Sequence, residues 1–89
     1  MIQTQMKLPH MERENIKREE RKQQLARIIH QQGRGGITLR QLCKLAGVVK
    51  SPYTREIVSE LVCEHRATWD WAIHANGKQV RVFFPGELL

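Results

Sequence analysis

At 89 residues, with 40% apolar content and two cysteines, the chain has the size of one small domain held by a modest hydrophobic core; there are too few thiols for a disulfide scaffold. A formal net charge of +6 favours a polyanionic partner, either nucleic acid or an acidic membrane surface. No apolar run approaches the roughly 20 residues of a membrane-spanning helix and no signal peptide is visible, so the expectation is a cytoplasmic protein with reduced thiols and no membrane partner.

Residues 1–10 lack periodicity and contain Pro9, which predicts a flexible N-terminal arm, with 11–89 as a single domain. Met11 to Gln32 predicts a long helix, free of Gly and Pro and rich in Glu, Lys, Arg, Gln and Ala. Its apolar face, Leu25, Ala26, Ile28 and Ile29, lies in the last two turns, whereas the first half offers only Ile16. The second half is therefore expected to pack and the first half to be solvated and mobile. Gly33, Gly35 and Gly36 end the helix around Arg34. They do not make a phosphate loop, because no strand precedes them and no Lys-Ser/Thr follows.

Ile37 is expected to add a short bridge of strand. Thr38 suits the N-cap of a second helix with Leu39, Leu42, Leu45 and Ala46 on its inner face, and Gly47 suits a left-handed C-terminal position. Ser51-Pro52 starts a third helix, Ser as N-cap and Pro at the first helical position, with Thr54, Ile57, Val58, Leu61 and Val62 inward. Asn76-Gly77 then predicts the tip of a two-residue type I′ hairpin. That register sets Ile73 opposite Val80, Trp71 opposite Val82 and Trp69 opposite Phe84. All six face the core, while Asp70, Ala72, His74, Gln79, Arg81 and Phe83 lie outside. Trp69 and Trp71 are then core residues rather than base-stacking platforms, and Trp71→Ala would cost about 3–5 kcal/mol.

The order helix, short strand, helix, turn, helix, hairpin resembles the winged helix-turn-helix family. The resemblance spans Leu25 to about Phe84 and rests on Ile37-Thr38-Leu39, on Leu45-Ala46-Gly47-Val48 entering the turn, and on Val58 and Leu61. It departs from the family in a turn after Gly47 about one residue longer than usual, and in Thr54 at a position usually aliphatic. The fold class it implies is α+β: three helices, the first extended, and a C-terminal hairpin as the wing. It also implies that the third helix enters the major groove of double-stranded DNA and that the wing touches the backbone or minor groove. Lys50, Ser51, Tyr53, Arg55, Glu56 and Ser59 then lie on or near the reading face. Arg55 would pair with guanine, Tyr53 would reach a phosphate or a thymine methyl, and Lys50 and Ser51 would meet phosphate at the helix start. On the wing, Lys78, Arg81 and His74 would hold backbone, and Arg40 and Lys44 of the second helix a flanking phosphate.

Cys43, Cys63, His65 and His30 match no tight zinc spacing and are read as ordinary residues, the cysteines buried; no metal or cofactor is expected. No nucleophile–base pair or paired carboxylate stands out, which argues against an enzyme. The leading expectation is a small DNA-binding transcription regulator, nucleoid-associated. The alternative is a winged helix used as a protein-interaction module in a replication or assembly complex, favoured by Glu56 and Glu60 on the outer face and by an exposed Phe83. A homodimer through the first helix is a further option.

Overall fold

The computed structural model describes residues 10–88, with side chains from Ile16 onward. The chain is α+β: helix α1 (His10–Gln32), strand β1 (Ile37–Thr38), helices α2 (Leu39–Ala46) and α3 (Pro52–Cys63), and strands β2 (Ala67–Ile73) and β3 (Gln79–Pro85). The three strands form an antiparallel sheet in the order β1-β3-β2. Helix α1 starts at His10, one residue before the expected boundary; the rest of the expected arm lies outside the described residues.

The helix ends follow their local chemistry. Thr38 caps α2 in a reciprocal box: its hydroxyl accepts from Gln41 N–H and Gln41 Oε1 accepts from Thr38 N–H, both at 3.2 Å. Gly47 closes α2 in the left-handed conformation. Ser51 caps α3, with Pro52 in its first turn. Thr54 occupies a core position because its hydroxyl has a use there. It donates to Val49 O at 2.9 Å and so ties the α2–α3 turn to the helix from within. At the far end of α3 the left-handed residue is His65 (φ 62), and Arg66 N–H closes back on Leu61 O at 2.9 Å.

The core gathers Leu25, Ala26 and Ile29 of α1, Ile37 of β1, Leu42 of α2, Ile57, Val58 and Leu61 of α3, Ala67 of β2 and Phe83 of β3. On α2, Cys43 is buried and Leu45 is exposed, reversing the expectation that Leu45 faces inward. Cys63, expected to be buried, is exposed, whereas burial pushes the Cys43 thiol up against a smaller opposing effect of Lys50.

The hairpin departs from the expected register by one residue. Trp69 pairs with Phe83, Trp71 with Arg81 and Ile73 with Gln79. The connection has three residues, not two. His74 O accepts from Gly77 N–H and His74 N–H donates to Lys78 O, each at 2.8 Å, with Gly77 alone at positive φ (84). This is a type I turn followed by a left-handed residue, and Asn76 Oδ1 accepts from Lys78 N–H at 3.0 Å to brace it. A type I′ turn would need Asn76 left-handed too, and it is not.

The slip exchanges partners across the sheet. Phe83 is buried at the base, beside Ile37. Trp69, Trp71 and Ile73 share its face but extend beyond the core and are exposed. Val80, Val82 and Phe84 are half-buried on the opposite face. There the Gly33–Gly35 turn of 3-10 helix brings Gly36 down on the sheet at φ 72 and ψ 171, a conformation nearly confined to glycine. A Cβ on Gly36 would overlap Val82 Cγ1 and lie 2.6 Å from Phe84 Cε1. Gly36→Ala is therefore expected to cost about 2 kcal/mol, from backbone strain and overpacking together. Urea denaturation checks this, with Gly35→Ala, where a Cβ meets open space, as the control.

The middle of α1 is not simply solvated. Arg18 donates to Glu60 of α3, and Lys22, nine-tenths buried, lies 2.5 Å from Glu64, 3.4 Å from Glu60 and 3.3 Å from Glu19. Both bridges to α3 advance by four residues, so one face of each helix meets the other. The hydrogen bond from Lys22 holds the Glu64 carboxyl below its ordinary range, against the opposing effect of desolvation. A lowered folded-state value means that this stability is fully present above the ordinary carboxylate value. It falls away as pH drops through the lowered one. The stability gap between wild type and Lys22→Met, read by urea denaturation, is expected to narrow over that acidic interval and to hold steady around neutrality.

Candidate nucleic-acid interface

A cleft of about 710 Å³ separates the β2–β3 hairpin from α2 and the start of α3. Its helical wall carries Arg40 and Lys44 of α2, Lys50 of the turn and Arg55 of α3; its hairpin wall carries Arg81, Trp71, His74 and Gln79. The first turn of α2, from Thr38 to Gln41, also opens onto it, and that end of a helix carries partial positive charge. No acidic side chain among the described residues lines the cleft. Five cations thus face one space without a local counterion in its walls, an arrangement suited to a chain of phosphates.

The hairpin wall is stiffened by its own stacking. The Arg81 guanidinium lies 4.4 Å from the Trp69 ring centroid and 5.2 Å from that of Phe83. Trp69 meets Trp71 edge to face, with centroids 5.2 Å apart and planes at 90°. Arg81 is therefore anchored through its stem and plane, which pre-orients its remaining donors.

Six of the eleven residues singled out by the resemblance come together in this cleft: Arg40, Lys44, Lys50, Arg55, His74 and Arg81. The other five do not line it. The Ser51 hydroxyl accepts from Thr54 N–H at 3.3 Å and lies 3.3 Å from Thr54 Oγ1, and so serves the fold. Tyr53 lies under the Arg18 guanidinium at 5.4 Å. Ser59 is exposed on α3, and Lys78 is exposed beside the hairpin turn. Glu56 is exposed off the cleft, and Glu60 turns toward α1. Arg81, expected outside the hairpin with Phe83, faces the helices instead because of the register. Trp71 faces the helices as expected, but it lies beyond the core and is exposed in the cleft rather than buried. The second turn type that Asn-Gly allows would have set Arg81 opposite it on that face, whereas no local signal marks how far the strands outrun the helices.

Among the described residues no three His, Cys, Asp or Glu side chains come together as a metal site, and no helix is long and apolar enough to cross a membrane. Compared with known proteins, the chain matches no family model, no curated protein and no solved structure.

Proposed function

We propose that the chain is a winged helix-turn-helix domain that binds double-stranded DNA, with α3 reading the major groove and the β2–β3 hairpin as its wing. The observation that carries this is the cationic cleft between those two elements. The backbone ridge beside a major groove is the polyanion that fits between a recognition helix and a wing. Helix–strand–helix–turn–helix–hairpin order, with β1 closing the sheet against β3, agrees with that layout. The role is one of binding rather than catalysis. Occupancy of a site would block or recruit polymerase, making the chain a small transcription regulator.

The alternative, a protein-interaction module, draws on exposed apolar side chains such as Leu45 and Val49. Two of its earlier supports are gone: Glu60 is bound to α1 and Phe83 is buried.

Titration of arbitrary duplex DNA at several salt concentrations separates the two. Engagement of all five cleft cations gives a log–log slope of about −4 to −5, at about −0.9 per phosphate. Absence of duplex binding at low salt ends the double-strand reading.

A further inference from the structure

The hairpin carries an observation that duplex binding does not use. Trp71 lines the cationic cleft with its side chain 53% exposed, and Ile73 beyond it is 73% exposed. These apolar residues share the helix-facing side of the sheet, and the observed register sets Arg81 beside Trp71 there. The indole is not loose: it forms a T-shaped pair with Trp69, and Arg81 lies over Trp69. An exposed aromatic side chain held by that pair beside Arg81, Arg55, Lys50 and Lys44 combines the two components of single-strand recognition, an aromatic group and a cationic track.

We propose that Trp71 is a stacking platform for an unpaired nucleobase, so that the cleft takes single-stranded nucleic acid, its backbone along the cations and a base on the indole. This rests on the cleft being a phosphate-binding surface, as in the function proposed above. A duplex offers the cleft only phosphates, sugars and base edges, because its base faces are hidden in the stack; only an unpaired base can cover the Trp71 ring. The absence of acidic groups from the described cleft walls fits a phosphodiester chain and disfavours a basic peptide.

The test compares oligo-dT with a random-sequence duplex at low salt, using wild type, Trp71→Ala, Trp71→Phe and Trp69→Phe. Trp69→Phe leaves Trp71 as the sole indole. Oligo-dT is expected to bind and to quench Trp71 emission in that variant. Trp71→Ala should lower the ratio of single-strand to duplex affinity about tenfold, and Trp71→Phe should restore most of it. Because Trp71 is half in water, circular dichroism should show both Trp71 variants folded. Duplex binding without oligo-dT binding, or oligo-dT binding without quenching and with an unchanged ratio in Trp71→Ala, overturns the platform and leaves the duplex reading standing. Oligo-dT binding with quenching but no duplex binding sustains the platform and moves the proposed function to single strands. Binding to neither nucleic acid overturns both.

Discussion

Phe83→Ala is expected to lower stability by about 3–5 kcal/mol, a large share of the roughly 5–15 kcal/mol that holds a small domain folded. Phe83 is 2% exposed, pairs with Ile37 across β1–β3, and shares the core with Leu25, Ile29 and Leu61. Removing its ring empties the junction where α1, β1 and the base of the hairpin meet, and the backbone there is pinned from both sides by strand pairing. Trp71→Ala is expected to cost only about 1 kcal/mol, mostly its edge-to-face contact with Trp69, because more than half of the side chain is already in water. The comparison tests the register itself. In the two-residue type I′ hairpin, Trp71 faces the core and Phe83 does not, so the order of the two costs would be reversed. Urea denaturation with a common m-value decides between them.

This pair of substitutions marks where the sequence stops speaking. Boundaries of α2 and α3 were legible because their signals are local: Thr38, Gly47 and Ser51 each satisfy backbone groups within four residues, and Pro52 suits the first turn of a helix; the partner role of Gln41 in the Thr38 cap came only from the structure. The inner face of α3 was legible because one side of a regular helix collects Thr54, Ile57, Val58 and Leu61. A hairpin at Asn76-Gly77 was legible too, but not its register. Alternating large residues on β2 accept either Val80, Val82 and Phe84 or Gln79, Arg81 and Phe83 as partners, and Asn-Gly allows both turns. The choice matches contacts far away in sequence: Ile37 needs Phe83 beside it, and Gly36 fits over Val82 and Phe84. The strands also outrun the helices. Burial reaches Ala67 and Phe83 at the base and stops, a length mismatch that no local pattern encodes.

The same limit applies to charge. Arg18 and Lys22 are four residues apart on α1, as are Glu60 of α3 and Glu64 at its C-terminal cap, and this matched spacing stands in the sequence. That the two sets meet depends on how α1 and α3 pack. Once they meet, Glu60 turns to α1, and among the described residues the cleft shows cations without opposing acids. Arg40, Lys44 and Arg55 were legible from helix phase together with the family resemblance, and Lys50 from its place just before the third helix. Arg81 was named for the right chemistry but set on the wrong side of the hairpin, so its place opposite Arg55 had to come from the structure.

The cleft yields the prediction with the largest functional effect. Lys44→Glu together with Arg55→Glu should reduce duplex affinity at least about a hundredfold at low salt, and should flatten the log–log salt dependence by about two phosphate contacts. Each replacement both removes a cation and sets an acid facing phosphate. Neither side chain is buried, so the fold should survive, as a thermal melt would show. Single substitutions should separate the roles. Arg55→Ala, at the start of α3, should cost about 1–3 kcal/mol and relax preference at one base position. Lys78→Ala, beside the hairpin turn and off the cleft, should weaken binding to all sequences alike and lower the slope by about one contact. If the double variant binds duplex as tightly as wild type with the same slope, the phosphates lie elsewhere. The exposed basic residues of α1, Lys17 and Arg27 among them, then become the surface to reverse next.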